Sequence, residues 1–153
     1  MTAADCFAKG LNLLHDGADQ EAFDALTAAI QLDPEFAEAY SYRGYAHYQL
    51  GNYDAALEDY NKAVALWPTH ADVRYFRGIL YGHLKEHEKA IDDYTIVIEL
   101  KPELIEAYYS RAMHYGASGR YEDAVKDMNR AAELGCEPAK EFLESHKVTP
   151  DRN

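Results

Sequence analysis

Apolar residues recur along this chain at helical spacing. Between positions 37 and 70, Tyr40, Gly44 and His47 fall on one helical face, and Ala56, Tyr60, Ala63 and Val64 fall on another. Gly51-Asn52 interrupts the run between them. Matching interruptions stand at Asp16-Gly17 and Ser118-Gly119, with Lys85-Glu86 where the corresponding stretch has no glycine. The pattern predicts pairs of antiparallel helices, each pair joined by a tight turn.

The pairs repeat. Pro34, Pro68 and Pro102 are thirty-four residues apart, and each ends a second helix because proline lacks a backbone donor and restricts the residue before it. Blocks of that length, 3–36, 37–70, 71–104 and 105–138, superpose place by place. The eighth place holds Gly10, Gly44, Gly78 and Ala112, and the twentieth holds Ala22, Ala56, Ala90 and Ala124. Larger residues recur at the twenty-fourth place as Leu26, Tyr60, Tyr94 and Met128. Small residues fixed beside large ones predict closely packed helices. A period of this length marks an array of stacked supersecondary units, which directs the search toward a binding surface rather than a catalytic centre.

The run Tyr40, Gly44, Tyr53, Ala56, Tyr60, Ala63, Pro68 resembles the tetratricopeptide repeat, a helix-turn-helix unit of 34 residues. The resemblance covers residues 3–138. It departs at Cys6, where the unit has a large aromatic, and at Cys136, which replaces the closing proline. Both departures fall in end units, where atypical repeats are expected. The implied fold is all-α: four tetratricopeptide hairpins in a right-handed superhelix with a C-terminal capping helix. Gly135 is placed as a left-handed cap, Pro138 opens the next helix, and Ala139, Phe142 and Leu143 share one face of it. The expectation is one domain over residues 3–146, with the capping helix at 138–146 and a flexible tail at 147–153.

Composition narrows the partners. The 153 residues are 48% hydrophobic and carry a formal charge of -12, which disfavours nucleic acid and anionic membranes, since both need Lys and Arg to meet their phosphates. No run reaches the roughly 18 consecutive apolar residues of a membrane helix. The start lacks the basic segment and apolar run of a signal peptide, so the expected location is cytoplasmic. Cys6 and Cys136 are expected as ordinary thiols in a reducing compartment.

Charged residues also follow the period. The seventh place holds Arg43, Arg77 and Arg111, and the twenty-third holds Asp59, Asp93 and Asp127. Antiparallel helices would bring these places together as structural ion pairs. The competing account is an anion-binding ladder of three arginines.

The resemblance implies that the first helices line a concave surface through places two, five, six, nine, twelve and thirteen. Those places hold Tyr42, Tyr45, Tyr48, Tyr75, Phe76, Ile79, Tyr109 and Met113, an aromatic surface suited to a peptide. Glu38, Asp72 and Glu106 at the second place would form an acidic groove edge favouring a basic or neutral ligand, although first-turn acids also complement the helix dipole. Gly82 and Gly116 share the twelfth place, either leaving room for a ligand or allowing tight helix contact. The family's clamp of Lys, Asn and Arg, which grips the terminal carboxylate of heat-shock chaperones, has no match here. Its positions hold Phe7, Leu11, Tyr42, Asp72 and Phe76, or, one block later, Ser41, Tyr45, Phe76, Glu106 and Ser110.

Other chemistry is weakly represented. His83 and His87 have a metal-binding spacing, but a turn separates them, so no metal or other cofactor is expected. Ser41, Ser110, Ser118 and the two cysteines lie in no nucleophile motif, so no enzyme activity is expected. Trp67 precedes Pro68, where it either packs into the turn or marks a second contact surface. The functional expectation is a non-catalytic adaptor or chaperone-like module binding a protein or peptide partner in the Tyr-rich groove. The alternatives are a self-associating scaffold forming a homo-oligomer and a small secretion-type chaperone.

Overall fold

In the computed structural model, residues 1–146 are described; the tail expected at 147–153 lies outside the described residues. Nine α-helices follow one another, and there is no strand among the described residues: α1 (Ala3–His15), α2 (Asp19–Leu32), α3 (Ala37–Gln49), α4 (Tyr53–Leu66), α5 (Ala71–His83), α6 (His87–Leu100), α7 (Ile105–Ala117), α8 (Tyr121–Glu133) and α9 (Glu137–Ser145). The first eight form four helix-turn-helix pairs in chain order. The chain divides into two compact units, Met1–Leu80 and Tyr81–Asn153.

The turn inside each pair has one backbone form. Gly17, Gly51 and Gly119 adopt φ of 73°, 78° and 75°, and Lys85 adopts 59° at the same place. The following amide then reaches back across the turn, from Ala18 to the Leu13 carbonyl at 2.9 Å, Asn52 to His47 at 2.8 Å, Glu86 to Tyr81 at 2.9 Å and Arg120 to Tyr115 at 2.8 Å. This left-handed closure satisfies carbonyls that the helix end would otherwise leave without donors. Gly135, at φ 106°, closes α8 in the same way, with the Cys136 amide on the Ala131 carbonyl at 2.9 Å.

Between pairs the chain extends. Asp33, Trp67 and Lys101, each just before a proline, have φ near -140°, at -140°, -137° and -135°. Proline disfavours helical backbone in the residue before it, so α2, α4 and α6 stop there. The proline carbonyls are not left open in two of these turns: Arg74 Nε donates to Pro68 O at 3.1 Å, and the Tyr108 hydroxyl donates to Pro102 O at 3.0 Å. The Trp67 ring lies 4.0 Å from the ring of His70 within its own turn.

In the first unit, a Thr2–Asp5 capping box starts α1, with the Asp5 amide donating to Thr2 Oγ1 at 3.1 Å and the Thr2 amide donating to the Asp5 carboxylate at 2.7 Å. The α1/α2 and α3/α4 pairs then close over small residues. A methyl group at Gly10 would fall 2.7 Å from Leu26 Cγ, and one at Gly44 would fall 3.0 Å from the Tyr60 ring. Leu26 and Tyr60 are fully buried in consequence, and Val73 and Leu80 on α5 are fully buried as well. Cys6 packs with Ala29, Ile30 and Ala39, and both cysteines are free thiols.

In the second unit, Tyr108, Ala112, Met128, Ala131 and Ala139 form the core, with Phe142 and Leu143 packed against it. The terminal helix α9 thus packs on the core formed by α7 and α8. It starts one residue earlier than the sequence predicts, at Glu137, so Pro138 is its second residue, where a missing amide costs no helical hydrogen bond.

Candidate functional site

The first unit places an aromatic groove on α1, α3 and α5. Tyr42, Tyr45 and Phe76 line a cavity of about 370 Å³ with Leu11, Leu14 and His15. Beside it, Tyr45, Tyr48, Phe76 and Ile79 surround a notch of about 70 Å³ against Tyr60. Phe76 and Tyr45 form the shared wall, their rings 6.0 Å apart, and Phe76 stacks on Tyr60 at 6.5 Å. Gln49 Nε2 donates to the Tyr45 hydroxyl at 2.6 Å, which fixes that ring. The Tyr75 ring sits edge-on to Phe76 at 6.4 Å, and Tyr42 meets Phe7 edge-on at 5.6 Å. Burial raises the Tyr60 and Tyr48 hydroxyls above the ordinary tyrosine pKa, so these rings stay neutral. Leu11 and Leu14 were absent from the expected groove set, while His15 shares with His83 the thirteenth place, where contact with a ligand is expected. The three hold places nine, twelve and thirteen of the first block, so the period itself carried the signal.

The other two expected groove residues lie in the second unit. Tyr109 packs against the core around Tyr108 and Met128. Met113, 52% exposed, borders a cavity of about 610 Å³ with Gly116, Tyr121, Val125, Phe142 and His146. The twelfth-place glycines differ here. A methyl group at Gly82 would come 2.6 Å from His114 Cε1, so that glycine permits close contact, whereas Gly116 faces open space. Among the second-place acids, Glu38 is half-buried and Asp72 and Glu106 are exposed.

The guanidinium forks of Arg43 and Arg111 are engaged by carboxylates. Arg43 Nε and Nη2 donate to Asp59 at 2.7 Å each, and Nη1 donates to Thr27 Oγ1 at 3.3 Å. Arg111 repeats this with Asp127 at 2.7 and 2.8 Å and with Thr95 Oγ1 at 3.0 Å. Hydrogen bonding to these carboxylates raises the pKa of both arginines. Arg77 Nη1 donates to Asn61 Oδ1 at 2.9 Å, and Asp93 is buried on α6. The threonines at this place were not anticipated from the sequence.

His87 is drawn to His114 by the packing of α6 on α7. Their Nδ1 atoms are 3.0 Å apart, and the His114 ring stacks on Tyr94 at 5.8 Å. Burial, and then the neighbouring His87, lower the His114 pKa. No group of three or more metal-ligating side chains occurs among the described residues. No helix among them is long and apolar enough to cross a membrane.

Comparison with known proteins agrees with this geometry. A family profile described as Tetratricopeptide repeat matches residues 37–70, a second of the same description matches 71–104 and 105–134, and one described as TPR repeat matches 12–51. No curated protein matches the chain. A crystal structure of MamA is similar at 32% identity, covering 90% of this chain and 81% of that one, with a TM-score of 0.84. The first TPR of Spaghetti (RPAP3), bound to the HSP90 peptide SRMEEVD, is similar at 29% identity, covering 77% and 94%, with a TM-score of 0.75. MamA 41-end from Desulfovibrio magneticus RS-1, at 21% identity, covers 95% and 87% with a TM-score of 0.82 and shares the fold. With consecutive profile matches from residue 12 to 134 and the same helix-turn-helix pairs throughout, the chain belongs to the tetratricopeptide repeat family.

Proposed function

We propose that this chain is a non-catalytic protein-interaction module whose first unit holds a segment of a partner protein against Tyr42, Tyr45, Tyr48 and Phe76. The observation that carries this reading is the open aromatic groove in which two adjoining cavities share the wall formed by Tyr45 and Phe76. Tyrosine offers large contact area at low conformational cost, with a hydroxyl left to bond a peptide backbone. The Spaghetti domain, similar in fold, is bound to a peptide, which supports the mode of binding. That peptide is acidic, and the clamp positions here hold no Lys or Arg. A cytoplasmic location is part of the proposal and draws on the two free thiols.

The test is selection of binders from an immobilised random peptide library, repeated with a Tyr42→Ala/Tyr45→Ala/Tyr48→Ala variant whose circular dichroism matches the parent. Loss of the selected peptides supports the groove. Retention of all of them in the variant rejects it.

Self-association is the second reading, favoured by Met113, Tyr121 and Val125, which are 52%, 70% and 43% exposed around the second unit's cavity. Light scattering over a concentration series decides it. A monomer throughout excludes this reading.

A further inference from the structure

The groove's chemistry restricts its occupant. The notch bounded by Tyr45, Tyr48 and Ile79 has a volume of about 70 Å³ and an apolar lining, which gives room for a single aliphatic side chain. The larger cavity beside it is lined by the aromatic residues Tyr42, Tyr45 and Phe76 together with Leu11, Leu14 and His15, and aromatic rings attract cations to their negative faces. A carboxylate laid on the face of one of these rings would meet the negative side of its quadrupole.

Charge around the groove has one sign. No groove place on α1, α3 or α5 in the first unit carries Lys or Arg, while the second places of α3 and α5 carry Glu38 and Asp72. Each acid stands one helical turn before a groove ring, Glu38 before Tyr42 and Asp72 before Phe76, and so on the same helix face. The first eighty residues hold twelve acids (Asp5, Asp16, Asp19, Glu21, Asp24, Asp33, Glu35, Glu38, Asp54, Glu58, Asp59, Asp72) against five bases (Lys9, Arg43, Lys62, Arg74, Arg77). Three of those bases are already engaged: Arg43 by Asp59, Arg74 by the Pro68 carbonyl and Arg77 by Asn61. Lys9 lines a different cavity, and Lys62 lies on α4.

We propose that the occupant is a basic peptide segment that seats one aliphatic side chain in the notch and lays Lys or Arg side chains over the rings of Tyr42 and Tyr45, toward Glu38 and Asp72. This rests on the reading that the groove binds a partner segment. The anchor sets register, and the flanking cations set the sign of the charge accepted. A long cationic side chain suits both surfaces, since its methylene stem covers a ring while its head meets carboxylate or water.

Fluorescence anisotropy with three labelled peptides tests the proposal: GKKLKKG, the same peptide with Ala for Leu, and GEELEEG. The expected result is that GKKLKKG binds the full chain at least about tenfold more tightly than either other peptide. Ile79→Ala should weaken GKKLKKG toward its Ala counterpart, with circular dichroism confirming the fold. A Glu38→Gln/Asp72→Asn variant should weaken it by about threefold or more at low salt. Glu58→Gln, a change on the exposed side of α4, should leave it unchanged.

Equal binding of the Leu and Ala peptides overturns the anchor. Equal weakening by Glu58→Gln overturns the local charge assignment. Tighter binding of GEELEEG that is abolished by Ile79→Ala overturns the proposed chemistry while leaving the groove as a peptide site. Binding of GKKLKKG that survives both Ile79→Ala and the triple tyrosine variant rejects the groove itself. No binding of any of the three up to about 1 mM overturns the proposal, and the library selection then reports on the groove alone.

Discussion

Arg43 and Asp59 meet fork to fork, the guanidinium Nε and Nη2 each 2.7 Å from one carboxylate oxygen. The Asp59 side chain is only 8% exposed and that of Arg43 19%, so water supplies little of their solvation. Removing one partner strands the other. Asp59→Ala is expected to lower unfolding free energy by about 3 kcal/mol in urea titration. Arg43→Lys keeps the charge but loses the bidentate contact and should cost less, about 1 to 2 kcal/mol. A double Arg43→Ala/Asp59→Ala variant should be less damaged than the sum of the singles, and strict additivity would refute the coupling.

Gly82 and Gly116 should respond oppositely to alanine. The added methyl at Gly82 collides with a His114 ring that Tyr94 and His87 already confine, so Gly82→Ala should destabilise by about 1 to 3 kcal/mol. At Gly116 nothing lies within reach, and Gly116→Ala should stabilise by about 0.5 to 1 kcal/mol through reduced chain entropy. Thermal melts of the two variants provide the comparison.

Lys85 occupies the left-handed position that glycine fills in the other turns. A side chain there crowds its own carbonyl, so Lys85→Gly should raise stability by about 1 kcal/mol, where most glycine substitutions lower it. A fall in the melting temperature would contradict this account of the turn.

Acidification should weaken the fold from neutrality downward. Burial lowers the pKa of His47 and His114 below the usual 6.5, so the folded chain takes up protons less readily than the unfolded chain. Their contribution is therefore intact above about pH 6.5 and is lost as pH falls below it. The melting temperature is expected to drop between about pH 7 and about pH 5, and to drop less in a His47→Gln/His114→Gln variant. Equal slopes in parent and variant would assign the effect elsewhere.

Much of the fold is legible from spacing, because a small residue at place eight and a large one at place twenty-four describe the same contact from both sides. Gly10 with Leu26 and Gly44 with Tyr60 are that contact. The backbone at Lys85 is not legible, since lysine gives no sign of a left-handed conformation. The two twelfth-place glycines look alike in sequence. What separates them is whether a histidine faces the position, a contact that does not recur from block to block. The groove follows the same division. Period arithmetic nominates Tyr109 and Met113 alongside Tyr45, but their neighbours differ, placing one against a core and the other on an open cavity. Thr27 and Thr95 are not legible either, because a threonine inside a helix carries no sign of the arginine that reaches it.

The side chains that reach back to the proline carbonyls give the array a direction. Pro68 O receives its donor from Arg74 and Pro102 O from Tyr108, in each case a residue in the first turn of the helix that follows. Each of these two side-chain hydrogen bonds is therefore made by sequence that leaves the ribosome after the proline it reaches. During synthesis, neither proline carbonyl can gain this donor until the first turn of the next helix has emerged.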